Sequence, residues 1–146
     1  MGKTKFNGLC AFTGSTKDFE AHCEVYLRNV MSGTKKAADR ACQDILNMSN
    51  ENVPVDTGTL QKSGFYKVTL RGDIKSYVYE GVVGYGGNGD PVNPKTGKHA
   101  SEYMVEVHED LSVPHRNGSA KFLEKAVKDY AQEKFPKTVL SYLPKP

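Results

Sequence analysis

Apolar and polar positions along this chain change period several times, and each change marks an element. Between Thr16 and Asn50 the apolar or near-apolar positions are Phe19, Cys23, Tyr26, Leu27, Val30, Thr34, Ala37, Ala38, Ala41, Ile45 and Met48, with Lys, Arg, Asp and Glu between them. Gaps of three and four trace one face of a helix. Unbroken, such a helix is about 50 Å long at 1.5 Å per residue. One long helix over 16–50 is expected; Gly33 beside Ser32 is its weak point, where a mid-helix glycine costs about 1 kcal/mol and offers a place to divide. Ser49, Asn50 and Glu51 precede Val53-Pro54 and end it, since the residue before a proline avoids helical torsions.

The period then shortens to two. FYKVTL and KSYVYEGVVGY flank the turn residues Arg71, Gly72 and Asp73 and predict a β-hairpin. GGNGDPVNPKTGKHAS follows as a long loop over 84–101. SEYMVEVHE then alternates Tyr103, Val105 and Val107 and predicts a third strand. Phe122, Leu123, Ala126, Val127 and Tyr130 return to helical spacing over 119–135, with Ser119 as the expected N-cap. Residues 1–15 read as an arm or strand, 51–64 as a corner, 65–109 as the sheet region and 136–146 as a partly extended tail. The expected class is α+β: a long N-terminal helix and a C-terminal helix on a small, mostly antiparallel sheet with a long hairpin and loop arm.

Composition changes this picture little. At 146 residues one domain is expected. No apolar run reaches the roughly 18 residues of a membrane span, and MGKTKFNGLCAF has no apolar stretch long enough for a secretory signal. Phe6 occupies the position where a myristoylation motif needs Ser or Thr. Cys10, Cys23 and Cys42 are odd in number and lack metal or redox spacing, so reduced thiols in a cytosolic setting are expected. A net charge of +3 permits contact with nucleic acid without arguing for it.

Several stretches spell known chemistries. Val55-Asp56-Thr57-Gly58 matches the loop of aspartic proteases, in which two such carboxylates share a proton. One copy per chain would require a homodimer, with Val82-Val83-Gly84 as the bracing segment. Asp56 instead follows a long helix and a proline, and the expected role is a carboxylate accepting backbone N–H bonds in a tight turn, with Gly58 supplying an unusual torsion. GYGGNG matches G-x-G-x-x-G, but Asp90-Pro91 and Asn93-Pro94 deny it the helix start that a dinucleotide site needs. His99, His108, Glu109 and His115 lack the spacing of a metal set. Lys95-Thr96-Gly97 has no S-x-x-K partner. No catalytic, metal or cofactor residue is assigned.

The order of motifs over nearly the whole chain is more specific than any one of them. Val53, Pro54, Asp56, Thr57, Gly58, Leu60 and Ser63 follow the first helix. Tyr103, Val107, His108 and Glu109 come next, then Asn117, Gly118, Ala120, Phe122, Leu123 and Ala126. In this order the chain resembles the neck and tail-completion (minor capsid, head-tail joining) proteins of long-tailed bacteriophages. The 84–101 loop departs from the pattern. The resemblance implies a structural, non-enzymatic virion protein, assembled in the bacterial cytoplasm and placed at the neck. Its copies would form a ring, expected to be a hexamer, between a portal, connector or head-completion protein and a tail-terminator or tube protein. DNA would pass non-specifically through the lumen, and no membrane is involved.

Within that expectation Pro54 stops the helix, Asp56 caps the corner, and Leu60 fills the core beside the hairpin. His108 and Glu109 end a strand and hold the approach of Asn117-Gly118. Phe122 and Leu123 dock the last helix on the sheet. Tyr85, Gly86, Asn88, Pro91, Asn93 and Lys95 in the long loop are the expected contacts to neighbours, and a homodimeric protease using Asp56 is the alternative.

Overall fold

A computed structural model describes residues 3–6, 10–13, 15–112 and 117–145. The class is α+β. Strands β1 (Lys3–Phe6) and β2 (Cys10–Thr13) pair antiparallel ahead of helix α1 (Thr16–Asn50). A short helix α2 (Thr59–Lys62), a hairpin of β3 (Phe65–Asp73) and β4 (Ser76–Gly84), and three helices follow: α3 (Ala100–Glu109), α4 (Phe122–Glu133) and α5 (Phe135–Tyr142).

Helix α1 starts on a reciprocal cap. Ser15 Oγ accepts from the Asp18 N–H at 3.2 Å, and the Asp18 carboxylate accepts from the Ser15 N–H at 3.1 Å, satisfying two of the helix's orphan donors. The helix runs unbroken through Gly33, as the expected long helix over 16–50. Gly33 serves an approach instead: a Cβ there would lie 2.2 Å from the Tyr142 carbonyl oxygen at the end of α5. The helix ends four residues before Pro54, where Ser49 O accepts the N–H groups of Asn52 and Val53.

The β3–β4 hairpin lies along the second half of α1. Its register pairs Val68 with Gly81 and Leu70 with Tyr79. A Cβ on Gly81 would sit 2.4 Å from Cys42 Sγ, so the face carrying Tyr77, Tyr79, Gly81 and Val83 turns toward α1 and the face carrying Val78, Glu80 and Val82 turns away. Thr34 Oγ1 lies 3.3 Å from the Tyr77 hydroxyl near the hairpin's turn.

The sheet among the described residues has two antiparallel strands in each of two hairpins, and the expected third strand is a helix. SEYMVEVHE alternates, but Ala100, Tyr103, Met104 and Val107 also keep helical spacing, and these four residues face the core. Short apolar runs satisfy both periods, and here the caps decide. Asp90, with φ of 40°, accepts from the Ser101 N–H at 2.9 Å and the Ser101 hydroxyl at 2.6 Å. Glu102 accepts from the His99 N–H at 2.5 Å. The tail is helical too, with Pro136 in its first turn, where a missing N–H costs nothing.

Val53, Leu60, Tyr85, Ala100 and Phe122 form the buried centre, with Leu46, Tyr103, Met104, Val107 and Leu123 packed against it. Ala37, Ala41 and Cys42 of α1 and Ala126 and Tyr130 of α4 continue the core along the helix. Helix α4 therefore docks mainly on α1, where the sequence placed it on the sheet. It begins at Phe122 after Lys121 in the left-handed region, not at a Ser119 cap. Ser119 Oγ is buried with no hydrogen-bond partner among the described residues.

Candidate functional site

The corner between α1 and the hairpin gathers the residues that carry the sequence motif. Gly58 has φ of 74°, a left-handed torsion that a glycine adopts without steric cost, and it turns the chain into α2. Leu60 then points into the core at 4% exposure. Thr57 and Thr59 bring their hydroxyls to 2.7 Å, and Gln61 Nε2 donates to Asn50 O at 3.0 Å, tying the corner to the end of α1.

Ser63 is the corner's clasp. Its side chain is fully buried; the hydroxyl donates to Leu60 O at 2.6 Å and accepts from the Gly86 N–H at 2.9 Å. Its carbonyl accepts from the N–H groups of Gly87 at 3.3 Å and Asn88 at 3.4 Å. Gly86, with φ of 81°, leaves room for α3: a Cβ there would lie 2.8 Å from Ser101 Cα. One serine thus joins the corner to the segment that follows β4.

Tyr85 completes the joint. Its phenol oxygen lies 2.8 Å from both Ser49 Oγ and Asn50 Oδ1 at the last turn of α1. Burial pushes the phenol up to about 12, with the Ser49 hydrogen bond opposing. Its ring meets Phe122 edge-on at 5.3 Å, and Phe122 meets His108 edge-on at 4.9 Å. This run of rings connects the corner, α3 and α4.

The third motif closes the same unit. Gly118, with φ of 94°, would place a Cβ 2.4 Å from Asn52 O, and the Ser119 N–H donates to that oxygen at 2.9 Å. The Lys121 N–H donates to His108 O at 2.8 Å. The Glu109 carboxylate takes both the Lys121 ammonium and His108 Nδ1, and the Lys121 bond chiefly holds it below the usual carboxylate range. His108 and Glu109 therefore end a helix where a strand end was expected, yet they do anchor the approach to α4. Residues 113–116, including His115, lie outside the described residues.

Asp56 departs from its expected role. Its side chain is 66% exposed and forms an ion pair with Lys95 Nζ; no backbone N–H donates to it among the described residues. The cap at this point of the fold is supplied by Gly58 and Ser63. A cleft of about 630 Å³ opens beside Asp56, lined by Pro54, Leu60, Tyr103 and Val107 together with the charged Lys98 and Glu106. Among the described residues no three His, Cys, Asp or Glu side chains gather as a metal set.

The six loop positions expected to meet neighbours divide. Tyr85 and Asn93 are buried, at 5% and 7% exposure, and Asn93 Oδ1 accepts from the Lys95 N–H at 2.9 Å. Gly86 is packed on α3, and Pro91 O accepts from the Ala100 N–H at 3.0 Å. Asn88 donates to Lys62 O at 3.3 Å, and Lys95 reaches Asp56. The loop is stitched back to its own chain because its glycines, Asn and Asp meet orphan groups of α2 and α3.

What the sequence reading missed is the surface left uncovered elsewhere. Residues 15–29 of the chain are exposed at every position, and Val25, Tyr26 and Leu27 show 58%, 56% and 40% of their surface. The available signal was the length of the periodic stripe, which exceeds what the remaining elements can cover. No helix among the described residues is long and apolar enough to cross a membrane. The chain matches no family model, no curated protein and no solved structure.

Proposed function

We propose that this chain is a structural virion protein of a long-tailed phage, a ring-forming component of the neck that joins the head connector to the tail. Copies associate with one another, expected as a hexamer, and the ring contacts a portal, connector or head-completion protein on one side. A tail-terminator or tube protein meets the other side, and DNA passes through the lumen without sequence readout. The reading includes no catalytic step.

The observation that carries it is surface surplus. A chain this size leaves the first half of its longest helix outside the core, with large apolar side chains exposed. Extensive exposed apolar surface on a small folded chain marks sites of association. Motif order supports the same reading, since the corner, α3 and α4 positions that carry the resemblance meet in one hydrogen-bonded unit. The ion-paired, solvent-facing Asp56 favours it over the dimeric protease, whose carboxylates must share a proton in a shielded site.

Native mass measurement and negative-stain imaging, on the protein alone and with isolated phage heads, test the proposal. Rings, or density at one capsid vertex, are expected. A chain that stays monomeric at high concentration and leaves heads undecorated overturns it.

A further inference from the structure

Residues of all three sequence motifs meet at the cleft beside Asp56: Pro54, Thr57 and Leu60 from the corner, Tyr103 and Val107 from α3, and Asn117. Its volume of about 630 Å³ suits a few side chains of a partner. Asp56 is held there by Lys95, and the Asp110 carboxylate accepts from Ser112. The Glu106 carboxylate and the Lys98 ammonium also line the cleft, and neither has a partner among the described residues. The end of α5 offers the matching features. Leu140 is 71% exposed. The chain then leaves the helix extended, with ψ of 147° at Leu143; Pro144 has no N–H to donate, and Lys145 is exposed. The last turn of α5 contains no basic residue to meet its free carbonyl groups.

We propose that the end of α5 and the residues after it in one copy seat in the corner cleft of the next copy. The inference rests on the ring reading and names a contact that builds the ring. Leu140 covers the apolar side of the cleft, and the Lys145 ammonium meets Glu106. Lys98 meets the carbonyl end of α5, where a cation is favoured. Both charges left unpaired in the cleft thus find opposite partners on one short segment. Distance makes the occupant a second copy. The Tyr142 carbonyl is seated against Gly33, whereas the cleft begins at Pro54, just past the end of α1 at Asn50. From Gly33 to Asn50 the helix runs about 26 Å. Lys145 lies two residues past Leu143, a span of about 7 Å, so it cannot reach the cleft of its own chain.

Because segment and cleft are different surfaces, the contact is head-to-tail. Such contacts propagate from copy to copy and close into a ring where the rotation allows, whereas a self-complementary patch stops at a dimer.

Cross-linking tests the contact in a Cys10→Ser, Cys23→Ser background with the buried Cys42 retained. One protein carries Lys145→Cys and a second carries Glu106→Cys. Mixed and mildly oxidised, they are expected to give a disulfide-linked heterodimer, and a chain carrying both changes a ladder beyond the dimer. Homodimers that form as fast as the heterodimer, or a disulfide closed within the doubly substituted chain, overturn the contact. Independently, Leu140→Asp is expected to raise the concentration needed for assembly about tenfold without moving the melting temperature. Lys145→Glu, which lies outside every helix, is expected to raise it about fivefold, and Glu106→Lys in the same chain to reverse that loss. Assembly unmoved by Lys145→Glu and by a folded Leu140→Asp protein overturns the contact. Native mass is recorded on every sample. Rings that form without the cross-link overturn this contact and leave the ring reading standing. Monomers throughout overturn both.

Discussion

Tyr85→Phe tests whether the joint between α1 and the corner is held as described. The substitution keeps the ring that meets Phe122 and removes only the hydroxyl lying 2.8 Å from Ser49 Oγ and Asn50 Oδ1. Ser49 is fully buried, so its oxygen loses a partner that water cannot easily replace, and the expected loss at neutral pH is about 1–3 kcal/mol. The pH dependence is the sharper readout. The folded-state value of about 12 lies above the ordinary phenol value of 10.0. A raised value means that this stabilisation is whole below pH 10 and is lost as pH climbs through 12. At pH 11 the unfolded phenol is mostly ionised and the folded one mostly neutral, which costs the wild type about 1.4 kcal/mol relative to pH 7. Urea unfolding of both proteins at pH 7, 10 and 11 measures it. Every other ionisable group is common to both proteins, so its contribution cancels in the difference. The wild-type advantage should therefore shrink by about 1.4 kcal/mol at pH 11. A difference that stays constant from pH 7 to 11 refutes a buried, hydrogen-bonded Tyr85 and with it this account of the joint.

Ser63→Ala removes both side-chain bonds of the clasp and should lower stability by about 1–3 kcal/mol; hydrogen exchange should accelerate at Gly86, and unchanged exchange there would contradict the clasp. Gly81→Ala forces a Cβ against Cys42 Sγ, for an expected loss of about 1–3 kcal/mol. Adding Cys42→Ala should recover part of it, and a strictly additive double mutant would mean that the two residues do not touch. Gly118→Ala combines a left-handed torsion with a backbone clash at Asn52 O and should be the most damaging of these glycine changes by thermal melting. Asp56→Ala removes only an exposed ion pair, so unfolding should shift by less than about 1 kcal/mol. A peptide-library digest should show no cleavage by the wild type. Cleavage that Asp56→Asn abolishes in a folded protein would restore the protease.

Local physics made much of the fold legible. The long helix, the hairpin, the left-handed Gly58 and the burial of Leu60 and Phe122 all follow from period and torsional preference. The hairpin nonetheless turns at Ile74 and Lys75 and not at the expected Arg71, Gly72 and Asp73, which are paired within its strands. Those signals act over a few residues, and a single sequence carries them openly. The corner's motif was visible too, but the role of its members was misjudged. Asp56 draws attention by its spelling, yet Ser63 does the holding, because only the folded chain brings Gly86 within reach of its hydroxyl.

Tertiary structure decided the remainder. SEYMVEVHE carries both periods, and it became helical because Asp90, distant in sequence from most of α3, reached the Ser101 N–H. Gly33 reads as a helix breaker until the end of α5 is laid against it. Tyr85 and Asn93 read as loop surface until the loop folds back on the corner. Most consequential is the stripe of α1: its period fixes a helix with an apolar face, but not what covers that face. Burial depends on which elements end where, and here the hairpin's turn and α5 stop near Gly33. Sequence alone therefore determined the helix, and only the packing of distant elements decided that its first turns, through Asn29, would stand exposed.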